Sequence, residues 1–158
     1  MKILGIDPGI TRTGYGLIEK DRGVKLIACG LISGEDVKKE NRLSHLEKGI
    51  QRLIHAHKPD LVCLEKLFFS KNKKTASSVS EARGVVLLVL QKSGVAFMEF
   101  GPSEIKSAVA GNGGASKQDV LRAVIWTLGV KDIPGPDDVS DALAIALRGA
   151  FDLSSRGS

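Results

Sequence analysis

Cysteine is almost absent from this 158-residue chain: two occur, Cys29 and Cys63, far apart and each inside an apolar run. That spacing excludes a zinc cluster, and a pair of thiols in strand-like surroundings reads as buried, reduced cysteine rather than a disulfide. Apolar runs are short, none approaching the ~20 residues a membrane span requires. No signal-peptide pattern opens the chain at Met1–Lys2, so a cytoplasmic protein with no membrane partner is expected. No serine or cysteine nucleophile stands beside a paired base. The glycine-rich turn Gly111–Gly114 lacks the lysine–serine ending of a P-loop, which leaves nucleotide binding there weakly supported. Linkers, repeats and low-complexity tracts are missing too. Residues 1–158 therefore read as one domain, with about 152–158 expected as a short frayed tail.

Aromatic residues make up only 4% of the chain, so the adjacent Phe68-Phe69 stands out. It sits in the loop 66–74 with Lys66, Lys71, Lys73 and Lys74, directly after Glu65. Lysine and arginine outnumber acids by 23 to 18, an excess too modest to decide anything by itself. Concentrated beside a carboxylate it suits a polyanion, although a solvated lysine-rich loop would look the same. Two neighbouring phenylalanines can both anchor a core, or one can stack on an unpaired base, worth ~1–3 kcal/mol.

Ile3-Leu4-Gly5-Ile6 ends on Asp7, and Pro8-Gly9 breaks the strand at once. Leu61-Val62-Cys63-Leu64 repeats the design and ends on Glu65. Acids at the ends of buried strands are held on rigid backbone, as catalysis requires. Ile10–Gly16 reads as a glycine-punctuated turn before Leu17-Ile18, and Val24–Ile32 as a third extended run, giving an antiparallel meander. Leu43, Leu46, Ile50, Leu53, Ile54 and His57 mark an amphipathic helix stopped by Lys58-Pro59. His45, His55 and His57 on it read as surface or satisfied histidines, with no acid set beside them.

A helix from about Ala76 to Lys92, apolar all round in its later half, must bury both sides within the domain or against another chain. Val95–Phe100 reads as a fifth strand, Pro102 opens a short helix, and Ser116 caps another over Lys117–Leu128. A last helix begins at Asp137 or Asp138. The architecture is α/β: a mixed sheet of three antiparallel strands followed by two parallel ones, flanked by helices.

Asp138 and Asp141 stand three apart on that last helix and share a face. Acids in a first turn also favour the helix dipole, an explanation that covers Asp137 and Asp138 without any chemistry. Asp141 lies among apolar neighbours, where an unpaired charge would cost several kcal/mol. Four converging carboxylates need a cation. Oxygen-only ligands select Mg²⁺ or Mn²⁺, and two such ions can activate water on a phosphodiester.

Gly5-Ile6-Asp7-Pro8-Gly9 with Thr13-Gly14-Tyr15-Gly16, Glu65-x-x-Phe68-Phe69-x-Lys71-Asn72 and Ala82-Arg83-Gly84 resemble the RuvC family. So do Glu104-Ile105-Lys106, Gly111-Asn112-Gly113 with Ala115 and Lys117, and Asp138-x-x-Asp141-Ala142-Leu143-Ala144. These are bacterial Holliday-junction resolvases with a ribonuclease H-like fold. The resemblance implies that Asp7, Glu65, Asp138 and Asp141 are metal-binding catalytic acids, with Mg²⁺ (Mn²⁺ substituting), two ions per site. It implies that Lys106 and Lys117 handle the scissile phosphate and that Phe68 stacks near the exchange point. Phe69, Lys71, Asn72, Lys73, Lys74 and Arg83 are further candidates for contact with four-way junction DNA.

The family acts as a homodimer and cooperates with a branch-migration motor, cutting two like-polarity strands in recombination and repair. A dimer would explain the apolar helix, through Ala82, Val86, Val89 and Leu90. Two alternatives stay open. An Asp-x-Gly opening also occurs in sugar kinases and actin-like ATPases, whose folds need two such domains. A junction binder without catalysis would not need four acids.

Overall fold

The computed structural model describes residues 1–67 and 73–156, and side chains for 1–67 and 77–154. Strands β1 (Lys2–Asp7), β2 (Arg12–Lys20) and β3 (Val24–Ser33) form the antiparallel meander. A 3₁₀ turn at Lys39–Asn41 and helix α1 (Arg42–His57) cross to β4 (Leu61–Glu65), which lies parallel to β1. Helix α2 (Lys73–Ser93) leads to β5 (Ala96–Phe100), parallel to β4. Helices α3 (Pro102–Ala110), α4 (Lys117–Leu128) and α5 (Asp137–Arg156) complete the chain. The sheet order is β3-β2-β1-β4-β5, so β1 is central.

Alternation along the strands divides the core in two. Ile3, Ile18, Leu61 and Cys63 pack against α5, α3 and α4, whereas Leu4, Ile6, Leu17, Val62 and Leu64 pack against α1 and α2. The unbroken apolar run of β4 is thus covered on both faces, as its composition required. Both cysteines are free, Cys63 buried and Cys29 half-buried. Among the described residues, no helix is long and apolar enough to cross a membrane.

Three local signals act as expected. Lys58 takes a left-handed conformation (φ 47°) and its N–H bonds Ile54 O at 2.9 Å, closing α1 before Pro59. Pro102 begins α3, where Glu104 Oε2 accepts from Gly101 N–H at 2.6 Å. Ser116 Oγ accepts from Asp119 N–H at 3.2 Å to cap α4.

Two expectations are corrected. The glycine-rich stretch is no turn, since β2 already begins at Arg12. Its glycines serve packing: a Cβ at Gly14 would strike the backbone of Asp138, and one at Gly16 the side chain of Leu143. At Gly5 on β1 a Cβ would strike Ala142 O and Ala146 N. Bare backbone on β1 and β2 lets α5 settle directly on the middle of the sheet. The frayed tail is also absent as far as Arg156, because α5 continues to that residue. Arg148 Nη1 bonds Asp152 Oδ1 at 3.1 Å and Ser154 Oγ bonds Ala150 O at 3.1 Å, which holds the last turns.

Candidate active site

The period-2 pleat puts Asp7 on the same face as Ile3 and Gly5, and Glu65 on the same face as Leu61 and Cys63. Because Ile6 pairs with Leu64 in the parallel register, the next residues of each strand, Asp7 and Glu65, end side by side beneath α5. Thr13, fully buried, fastens the turn after Asp7: its hydroxyl donates to Gly9 O at 2.7 Å and accepts from Gly9 N–H at 3.1 Å. Gly14, opposite Asp7 in the register, admits the start of α5, which brings Asp138 and Asp141 to the same sheet edge.

A cavity of about 270 Å³ opens there, lined by Asp7, Glu65, Asp141, Lys106 and Lys117 with Ile105, Val120 and Ile145 as apolar wall. Asp138 stands at its rim and faces a larger groove of about 970 Å³, where it meets Arg12 Nε at 3.5 Å. Lys117 Nζ lies 3.5 Å from Asp137 Oδ2 and 3.6 Å from Asp141 Oδ2.

Burial, then repulsion from Asp141, Asp138 and Glu65, pushes the Asp7 carboxyl up to about 7, with Lys117 opposing. Burial and Asp141 raise Glu65 against the pull of Lys106 and Lys117. Asp141 is raised by burial despite the neighbouring Lys117, and Asp141 in turn raises the Lys117 ammonium. These acids feel one another strongly, and their site is short of positive charge.

Among the described residues, no three His, Cys, Asp or Glu side chains are drawn close enough to hold an ion as they stand. Donor chemistry nonetheless fits a hard divalent cation: oxygen ligands only, half-buried and mutually repelling. Asp7, Glu65 and Asp141 line one cavity, so side-chain rotation is the movement that a closed ligand cage requires.

The other expected residues divide. Lys106 and Lys117 are in the cavity. Arg83 is not: it forms an ion pair with Glu99 and so ties α2 to β5. Ala82, Val86, Val89 and Leu90 lie inside the chain's own core, against α1 and the sheet, rather than on a surface a second chain could reach. Periodicity could not separate the two sides of a helix whose outer face carries Leu88, 47% exposed. Phe68, Phe69, Lys71 and Asn72, and the side chains of Lys73 and Lys74, lie outside the described residues.

Arg12 and Thr13 are members of the site that sequence reasoning did not assign to it, whereas Asp137, which pairs with Lys117, belongs to the acidic cluster Asp137, Asp138 and Asp141 that the sequence singles out. Reading 10–16 as a turn hid both. Their position opposite the end of β1 was the available signal.

Known proteins resemble this chain over nearly its whole length. The family description "Crossover junction endodeoxyribonuclease RuvC" matches residues 3–148. A relative of that name from Prochlorococcus marinus is 48% identical over 154 residues, spanning 96% of this chain and 99% of its own. Another, from Caldicellulosiruptor saccharolyticus, is 44% identical over 150 residues, spanning 93% and 90%. The solved structure described as T. thermophilus RuvC in complex with Holliday junction substrate superposes with a TM-score of 0.90 at 32% identity. It covers 99% of this chain and 96% of that one.

Proposed function

Since the chain belongs to the RuvC family of crossover junction endodeoxyribonucleases, Holliday-junction resolvases of ribonuclease H-like fold, we propose how its own residues divide the work. Asp7, Glu65, Asp138 and Asp141 hold divalent metal, Mg²⁺ with Mn²⁺ able to substitute, two ions per site. Bound there, the metal supplies activation of water and stabilisation of the leaving oxygen. The observation that carries this reading is the convergence of Asp7, Glu65 and Asp141 with Lys106 and Lys117 on one cavity, where burial and the neighbouring acids push the Asp7 carboxyl up.

Lys106 and Lys117 line the same cavity, so a phosphodiester that enters it meets two ammonium groups. Lys117 is at present tied to Asp137 and Asp141, and metal bound at Asp141 would free it to meet the phosphate. Thr13 keeps Asp7 at a fixed height by locking the turn behind it. Repulsion among the acids is largest without a cation, which makes the site bind hard ions and act only when loaded.

The substrate is four-way junction DNA, as named for the T. thermophilus relative. Phe68 or Phe69 stacks at the exchange point, and Lys71, Asn72, Lys73 and Lys74 meet the nearby backbone. A homodimer places two such sites for symmetric cuts in like-polarity strands, in the cytoplasm, in concert with a branch-migration motor.

A synthetic four-way junction tests this directly. Paired symmetric nicks should appear with Mg²⁺ and vanish with chelator. Asp7→Asn should keep junction binding and abolish nicking, and substantial residual nicking would remove Asp7 from the metal site. Phe68→Ala should impair cutting more than binding.

A further inference from the structure

Asp138, beside the catalytic cavity, lines a second and larger groove. The adjoining groove runs past Arg12 to Lys39 and Arg42, where α1 begins. From Arg42 the outer face of α1 carries His45, Lys48, Arg52 and His55 at steps of three and four residues, which is one stripe of a helix. Two further surface depressions continue the path. One is lined by His45, Gly49 and Arg52, the next by Lys48, Arg52 and His55. Arg52 and Ala56 belong to both, so these two depressions join each other, and Arg42 at the start of α1 links the stripe to the groove.

Charge on this path is one-sided. Glu40 and Glu81 line the first groove beside Lys39 and Arg42, but beyond Arg42 the stripe holds no acid. The one acid of α1, Glu47, lies beside Lys92 Nζ at 3.7 Å and accepts from Gln51 Nε2 at 3.5 Å, pairing with neither Lys48 nor Arg52. Among the described residues, no carboxylate pairs with Arg42, Lys48 or Arg52. Three cations, Arg42, Lys48 and Arg52, thus stand along the stripe with no paired carboxylate, a one-sided charge that suits a polyanion. The sixteen residues of α1 span ~24 Å, or about seven base pairs of duplex.

We propose that the outer face of α1 is a track for a duplex arm of the junction, carrying its phosphates away from the catalytic site along Arg42, Lys48 and Arg52. The occupant follows from continuity with the groove at Asp138 and from charge complementarity. This rests on the junction reading above, and it adds a contact that scales with arm length rather than with the exchange point.

Lys48 and Arg52 are exposed, so Lys48→Gln/Arg52→Gln tests the track without disturbing the core. Binding is measured by anisotropy, without divalent metal, on hairpin-closed junctions with arms of about 5 or about 15 base pairs, over a salt series. Wild type should bind the long-armed junction more tightly, and the double variant should lose about tenfold on it. The variant's salt slope should fall by about two, one unit for each phosphate that its side chains no longer reach. On the short-armed junction the two proteins should match.

A control, Lys25→Gln/Lys131→Gln, removes equal charge from exposed sites elsewhere. Equal losses in the control, equal losses on both junctions, or an unchanged slope would each overturn the track. Failure of wild type to prefer a junction over linear duplex would instead sink the junction reading.

Discussion

At the scale of single residues, Asp7 makes the stability of the protein depend on pH, together with the acids coupled to it. Its carboxyl is raised to about 7 by burial and by the other acids. A raised acid holds a proton in the folded state that the unfolded chain has already released. The stabilising contribution is therefore complete below the ordinary carboxylate range and is lost as pH rises through about 7. Each pH unit in that window is worth about 1.4 kcal/mol, shared among coupled acids. Asp7→Asn should melt several degrees above wild type at pH 8 in chelator, and the gap should close near pH 4. Added Mg²⁺ at pH 8 should raise the melting temperature of wild type more than that of the variant. Equal melting at pH 8 would mean that the acids do not repel.

Arg12 makes a weaker claim. Its pair with Asp138 is long and half-exposed, worth at most about 1 kcal/mol. With Asp138 as a metal ligand, as proposed above, Arg12 competes for it, so Arg12→Gln should lower the Mg²⁺ needed for half-maximal nicking, within about tenfold, and leave stability within ~0.5 kcal/mol.

At the scale of elements, the site depends on how closely α5 approaches β1 and β2. Gly14→Ala would drive a methyl into the backbone at Asp138, which cannot retreat without moving Asp141 as well. Overpacking costs about 1–3 kcal/mol or more, so denaturant unfolding should show that loss, with Mg²⁺-dependent nicking falling further than stability explains. Gly84→Ala on α2 is the contrast: nothing lies near its Cβ, and helix propensity should stabilise the fold by ~0.5–1 kcal/mol.

The same glycines mark where the sequence was and was not legible. Asp7 and Glu65 could be read because a buried strand declares itself by apolar residues and its end by Pro8 or a polar loop. Asp138 and Asp141 could be read as neighbours by helical spacing alone. Gly14 and Gly16 misled because a missing side chain looks the same whether it permits a turn or makes room for a helix. Arg12 went unassigned for that reason. The extra turns of α5 were legible but passed over: Ala150, Phe151 and Leu153 continue its apolar spacing from Leu147 and pack on the core, among polar residues that suggested a tail.

At the scale of the whole molecule, the proposed homodimer needs a surface on which two copies meet. The inner side of α2 is spent on the core, through Ala82, Val86, Val89 and Leu90. Its outer side keeps Gly84 open and Leu88 47% exposed, with Val85 and Leu87 half-buried between them. Gly84 and Leu88 are one helical turn apart, so a two-fold axis between them would set a leucine against a glycine on each side. Such packing needs the absent Cβ. Gly84→Ala should therefore weaken a dimer even as it stabilises the single chain, and Leu88→Arg should produce monomers by sedimentation. Those monomers keep the acids and both lysines of the cavity, so they should still nick a junction with Mg²⁺. What they should lose is the pairing of nicks: the second cut would follow at the rate of an independent event. Dimers that persist in Leu88→Arg would move the interface away from α2, while monomers with paired nicks would show that symmetry of cutting comes from the DNA and not from the protein.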